Sequence, residues 1–206
     1  MCTKCIIRAA VIAVVSTISS SQLAIAETKQ VETTQSNASQ QAALSAQALK
    51  LVKGFGMDLK HTLVSSMKKD GPAAAIGVCN LQAPEIAAKH AQDSGWTIGR
   101  TSTKLRSDAN APDEWEAKVL AIFAQKKAQG GDLKTMQYSE IIEKDGKKTF
   151  RYMKAIGVAK PCLNCHGQNL KPAVTAALKD KYPDDAATGF KLGDLRGAFT
   201  LSKSVK

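Results

Sequence analysis

Residues 161–167 read PCLNCHG, with two cysteines three positions apart and a histidine directly after the second. Three chemistries use such a string. The thiols of Cys162 and Cys165 could add across the two vinyl groups of a haem, placing His166 under the iron as proximal ligand. With Cys79 they could complete a three-cysteine, one-histidine zinc set. Alone they could form a redox disulfide. Zinc is disfavoured because ligation by the adjacent Cys165 and His166 is sterically awkward and the chain has no second CxxC. A thioredoxin-like disulfide is disfavoured because no βαβ pattern precedes the motif. The expectation is one covalently attached c-type haem.

The motif defines one face of the iron only. Candidates for the opposite face are His61, His90, Cys79, Met57, Met67, Met136 and Met153. His61 lies on the polar side of an apolar stripe and His90 stands beside Lys89, so both read as surface histidines. Met67 continues a helical core stripe, where methionine usually packs. Cys79 closes the apolar stretch AAAIGVC; the residues leave a distal ligand and an inert buried thiol equally open. Arg100, Arg106 and Arg151 suit haem carboxylates, because a guanidinium matches a planar carboxylate. Tyr152 and Met153 fall on opposite faces of one strand, so one of them at most meets the porphyrin.

The elements that must carry these residues follow from pattern. The chain has 206 residues, is 44% hydrophobic and has a formal charge of +11, enough for one domain with a core. Lys4, Arg8, an apolar run from Ala9 to Ile18 and the small residues Ala24 and Ala26 make residues 1–26 a cleaved secretory signal peptide. The run is too short and too broken by serines to span a membrane. Periplasmic export follows, as does removal of Cys2 and Cys5. Residues 27–41 are polar and read as a flexible leader, and residues 42–206 as the folded domain. Leu44, Ala48, Leu51, Val52, Phe55, Leu59, Leu63 and Met67 recur at helical steps up to Asp70, Gly71 and Pro72. Short helices follow at 72–79 and 84–92, a strand at 96–104, and a helix through Trp115, Val119, Ile122 and Phe123 ending at Gly130. Runs at 138–142 and 149–156 flank Asp145 and Gly146 as a hairpin. A helix at 172–178 and a strand at 195–205 complete an α+β pattern with a small antiparallel sheet.

Three stretches, GRTSTKLRSDANAPDEWE (99–116), FRYMKAIGVAKPCLNCHG (150–167) and YPDDAATGFKLGDLRGAFTLS (182–202), resemble a family of c-type haem proteins with a PAS-like fold. It is known from cyanobacteria and proteobacteria and was long carried as a domain of unknown function. The resemblance spans roughly residues 45–203. It implies a five-stranded antiparallel PAS-like sheet with flanking helices and a long N-terminal helix. It also implies covalent haem on Cys162 and Cys165, His166 as one axial ligand, and a cysteine thiolate opposite, for which Cys79 is the matching position. Ser107 and Asp108 depart from the family pattern, which has Asn and Pro after the second arginine.

A thiolate donor stabilises ferric iron, so a His/Cys pair implies a low reduction potential. On reduction the thiolate is expected to leave, with His90, Met153 or a small gas taking its place. That describes a redox or gas sensor domain answering to a separate signalling protein. The rival is a low-potential electron-transfer cytochrome that docks an acidic redox partner through lysines such as Lys160 and Lys171. The basic charge, spread over Lys68–Lys69, Lys126–Lys127 and Lys147–Lys148, forms no block suited to nucleic acid. No metalloprotease motif or nucleophile elbow occurs, and no enzymatic activity is expected.

Overall fold

A computed structural model describes the backbone of residues 20–92 and 94–205, and side chains over 37–78, 81–92 and 94–205. The basic residues and apolar run of the expected signal peptide lie outside the described residues. The chain divides into two units, Met1–Ser39 and Gln40–Lys206, and the sheet and the candidate site lie in the second.

Helix α1 runs Ser20–Gly77, so residues 27–41 are helical and not the flexible leader expected. Between Ser20 and Lys53 the sequence has neither glycine nor proline to stop a helix. The break falls where the DGP sequence puts it. Gly71 has φ 83°, a conformation that costs glycine little, and Pro72 starts a new helical segment because its missing N–H is not needed there. A π-helical turn, Val78–Gln82, leads into α2, Ala83–Ala91. Strand β1 is Thr97–Thr101, α3 is Glu114–Ala128, and β2 (Gln137–Lys144) and β3 (Lys147–Gly157) form the expected hairpin. Asp145 (φ 52°) and Gly146 (φ 70°) supply the left-handed pair that such a two-residue turn requires. A 3-10 turn, Lys160–Cys162, leads into the helical turn α4, Leu163–His166. Helix α5, Pro172–Lys181, and strand β4, Leu195–Val205, follow.

The sheet is antiparallel with order β1-β4-β3-β2. Among the described residues it has four strands, not five. After Thr101 the polar run from Ser102 to Pro112 turns back instead of extending: the Ser102 amide donates to Asn110 O at 3.2 Å and the Thr101 hydroxyl to the same oxygen at 3.3 Å.

Alternation along β3 divides the core. On one face Phe150 and Tyr152, with Trp96, Ile98 and Leu201, pack under Leu44, Ala48, Val52, Phe55 and Leu59 of α1. On the other, Met153 and Ala155 meet Val119, Leu120 and Phe123 of α3. The α3 end is pinned by a capping box: Asp113 Oδ1 accepts from the Glu116 amide (2.8 Å), and Glu116 Oε2 accepts from the Asp113 amide (3.1 Å). Partial burial works to raise the Asp113 carboxyl; the Glu116 amide and Arg151 outweigh it and hold the group below its usual value.

Candidate functional site

The motif is built at the end of β3, where the chain leaves the sheet and turns through α4. Three neighbours hold it. The loop after α5 runs alongside, with the Phe190 amide donating to His166 O (2.9 Å) and the Gly189 amide to Gly167 O (3.0 Å). Cys165 packs with Ala73 and Ile76 from the segment after the Gly71 break, and its thiol faces Pro72 O at 3.8 Å. Cys162 packs against Val158, Ala187 and Phe190, and its sulfur accepts from the Ala159 amide at 3.4 Å.

Both cysteines and His166 line one cleft between α1, the segment after Gly71 and the sheet edge. Leu59, Leu63, Met67, Ala75, Ile76, Leu105, Ile156 and Phe199 supply its apolar wall, and Arg100, Arg106 and Arg196 its polar end. The unfilled space, open solvent at the mouth included, is about 1030 Å³.

His166 is oriented as a ligand should be. Its Nδ1 lies 2.7 Å from Ala187 O. A carbonyl can only accept, so Nδ1 carries the proton and Nε2 keeps its lone pair. The ring meets Phe190 edge-on, with centroids 6.2 Å apart. Burial first, then the charges of Arg106 and Arg196, push the imidazole down to about 3, against the opposing pull of Ala187 O and Asp185. It is therefore neutral at pH 7. In the haem-free chain, unfolding exposes His166 to protonation near 6.5 while the folded ring resists until about 3. Its contribution to stability is complete above the first value and is lost as pH falls toward the second. Urea midpoints between about pH 7 and about pH 4 should fall more steeply for the wild type than for His166→Asn. Parallel curves would contradict this.

The other expected site residues scatter. Arg106 lines the cleft, but its guanidinium is engaged: Nε and Nη2 reach Asp185 at 3.2 and 2.9 Å, and Nη2 also donates to Cys165 O. Through these bonds it holds the motif in place. Arg151 belongs to the α3 face, paired with Asp113 (2.6 Å) and Glu116 (3.1 Å) and lying 4.4 Å above the Trp115 ring. It shares that face with Met153 because β3 alternates, so neither reaches the cleft. Tyr152 faces α1 but is core: its hydroxyl donates to Gln137 Oε1 (2.7 Å) and burial pushes the phenol up to about 12. Arg100 does line the cleft.

Of the distal candidates, His90 Nε2 lies 2.9 Å from Asp58 Oδ2, and the ring packs so closely on α1 that a Cβ at Gly54 would come within 2.9 Å of it. Met57 and His61 are exposed, Met136 and Met153 are buried against α3, and Met67 lines the cleft. Cys79 belongs to the π-helical turn that follows Ala75 and Ile76; its side chain lies outside the described residues. Sequence reasoning missed Asp185, Ala187, Phe190 and Arg196. The signal was present in YPDDAATGF and LRG, whose recurrence marked the family without assigning roles.

An antiparallel sheet covered by helices on both faces defines an α+β domain, with two thiols and a neutral imidazole converging on one apolar cleft. The chain belongs to the Tll0287-like family (Tll0287), whose model matches residues 14–204. In fold it is similar to a solved structure described as the crystal structure of the cyanobacterial heme-protein Tll0287. The TM-score is 0.60 and the identity 21%, over 78% of this chain and 94% of that one. Comparison with curated proteins finds no match.

Proposed function

We propose that this chain is an exported mono-haem c-type protein. Cys162 and Cys165 hold the haem covalently, His166 is the proximal ligand and Cys79 the distal one, and the domain acts as a redox or gas sensor. The observation that carries the reading is the His166 arrangement: Ala187 O accepts a hydrogen bond from the Nδ1–H beside an apolar cleft that both motif thiols line. Membership of a family that includes a cyanobacterial haem protein supports it. No helix among the described residues is long and apolar enough to cross a membrane, which is compatible with a periplasmic domain.

Bound haem would supply one-electron chemistry and gas binding at the iron. The chain's residues bind it, exclude water and keep the proximal imidazole neutral. Cys79 is favoured opposite because it follows Ala75 and Ile76, both in the cleft wall, by one turn. π-helical turns of this kind recur at functional sites. Two protein ligands would leave no open iron position, so no enzymatic activity is assigned. His90 is paired with Asp58 and Met153 is buried against α3, so an added small ligand would be the replacement were a thiolate ligand to leave.

The rival electron-transfer reading rests on Lys160 and Lys171, which are exposed on either side of the motif. Docking through them would weaken steeply as salt rises. The deciding experiment is the paramagnetic resonance and electronic spectrum of the ferric protein beside that of Cys79→Ala. A low-spin thiolate signature, lost in the variant, is expected; identical spectra would remove Cys79 from the iron.

A further inference from the structure

Helix α1 buries Leu44, Ala48, Val52, Phe55 and Leu59 against the sheet. Helical spacing places Lys50, Lys53, Met57, Lys60, Val64 and Lys68, at steps of three and four, on the opposite face. All but the half-buried Val64 are exposed, and Met57 is 66% exposed despite its apolar side chain. Among the described residues no side chain pairs with Lys50, Lys53, Lys60 or Lys68. Between residues 42 and 70 the helix has two aspartates. Asp58 lies on the flank, its Oδ2 2.9 Å from His90 Nε2, and Asp70 follows the stripe, beside the break at Gly71. From Lys50 to Lys68 the cationic stripe is about 27 Å long.

At its C-terminal end the stripe opens onto a groove between α1 and the motif. Val64, Met67, Lys68 and Pro72 line it from one side, and Lys160, Pro161 and Asn164 from the other. Lys160 is exposed and, like the stripe lysines, pairs with no described side chain. Pro161 directly precedes Cys162, and Met67 and Pro161 line the cleft as well as the groove. An occupant of the groove therefore touches the cleft wall.

We propose that this stripe and groove are the docking surface for an acidic amphipathic helix of a partner protein. Lys50, Met57 and Val64 are spaced by seven, as are Lys53, Lys60 and Met67, so the face carries two adjacent heptad rows with their apolar members toward the groove. A partner helix with glutamates opposite the lysines and apolar side chains opposite Met57, Val64 and Met67 matches it in both charge and spacing. A second copy of this chain is a poor occupant, because lysine would meet lysine along the seam. An anionic bilayer matches the charge, but a flat surface does not enter the groove. That such a partner responds to the cofactor rests on the functional reading above; the surface itself does not.

The test titrates the full chain with a synthetic helix of about three heptads, leucines at heptad spacing flanked by glutamates. Two variants carry the same change in charge. One combines Lys50→Glu, Lys53→Glu, Lys60→Glu and Lys68→Glu; the other combines Lys126→Glu, Lys127→Glu, Lys147→Glu and Lys148→Glu, four lysines exposed elsewhere. The first is expected to raise Kd by more than about tenfold and the second to stay within about twofold of the wild type. Met57→Ser is expected to weaken binding without changing its salt dependence. Carbodiimide should join peptide carboxylates to the stripe lysines and Lys160, as read by mass spectrometry. Equal losses in the two charge variants would reduce the effect to net charge and overturn the surface. No binding by the wild type, or tighter binding to vesicles of anionic phospholipid than to the peptide, would overturn it too. Should the first variant not fold, the same four lysines changed to glutamine are read against the same outcomes. A chain that binds the peptide here but carries no covalent haem would defeat the functional reading and leave the docking surface standing.

Discussion

The double variant Cys162→Ala, Cys165→Ala is expected to lose covalently bound haem completely. The two thiols are the only cysteines in the motif and both line the cleft beside His166. A thioether needs the sulfur, so alanine removes the bond-forming atom and changes little else. Both residues sit in small clusters of partly buried side chains, where trimming a sulfur costs on the order of 1 kcal/mol. The chain should therefore still fold. Denaturing electrophoresis with haem staining, and intact mass, read the outcome: one haem per wild-type chain and none in the variant. Either single variant should keep haem through the remaining thioether, at lower yield. Haem retained on the double variant under denaturing conditions would end the c-type assignment.

Asp185→Asn should be the most destabilising single change near the site. Asp185 meets Arg106 through both oxygens, and its Oδ1 also accepts from the Ala187 amide at 2.8 Å. Losing one partner of a buried pair leaves the other charge uncompensated, at a cost of about 3–5 kcal/mol. The consequence reaches His166, because Ala187 is the residue whose carbonyl orients it. Arg106 meanwhile holds Cys165 O, so the pair ties the loop after β1, the motif and the loop after α5 together. The control is Asp180→Asn in the solvent-facing Asp180–Lys181 pair, 69% and 55% exposed, where the loss should stay under about 1 kcal/mol. Urea unfolding compares the two. If Asp185→Asn costs no more than the control, Arg106 is not relying on Asp185 for its charge balance.

The Arg106 case also marks the limit of reading arginines from sequence. As a residue type it suits a haem carboxylate and an aspartate equally, and Asp185 is 79 positions away. Arg151 shows a second limit. Strand alternation correctly separates Tyr152 from Met153, but period two does not say which face is covered by α3 and which by α1. Both Arg151 and Tyr152 were expected in the pocket; one lies on α3 and the other deep under α1. The polar stretch 27–41 failed for a simpler reason: polarity shows that a segment cannot build a core, yet nothing in it prevents helix.

By itself the sequence determined what is local. The hairpin at Asp145–Gly146, the break at Gly71–Pro72, the last strand and the CxxCH motif each depend on residues within a few positions of one another. Backbone preference and bond-forming groups are properties of such short stretches. The tertiary structure decided the assignments that depend on distant partners. It gave Arg106 to Asp185, Arg151 to α3, His90 to Asp58 and the Nδ1–H of His166 the Ala187 carbonyl as acceptor, and it brought Arg196 to the mouth of the cleft. Charge and hydrogen-bond pairing act through space, and a residue's role there is set by which neighbour the packed chain brings within about 3 Å.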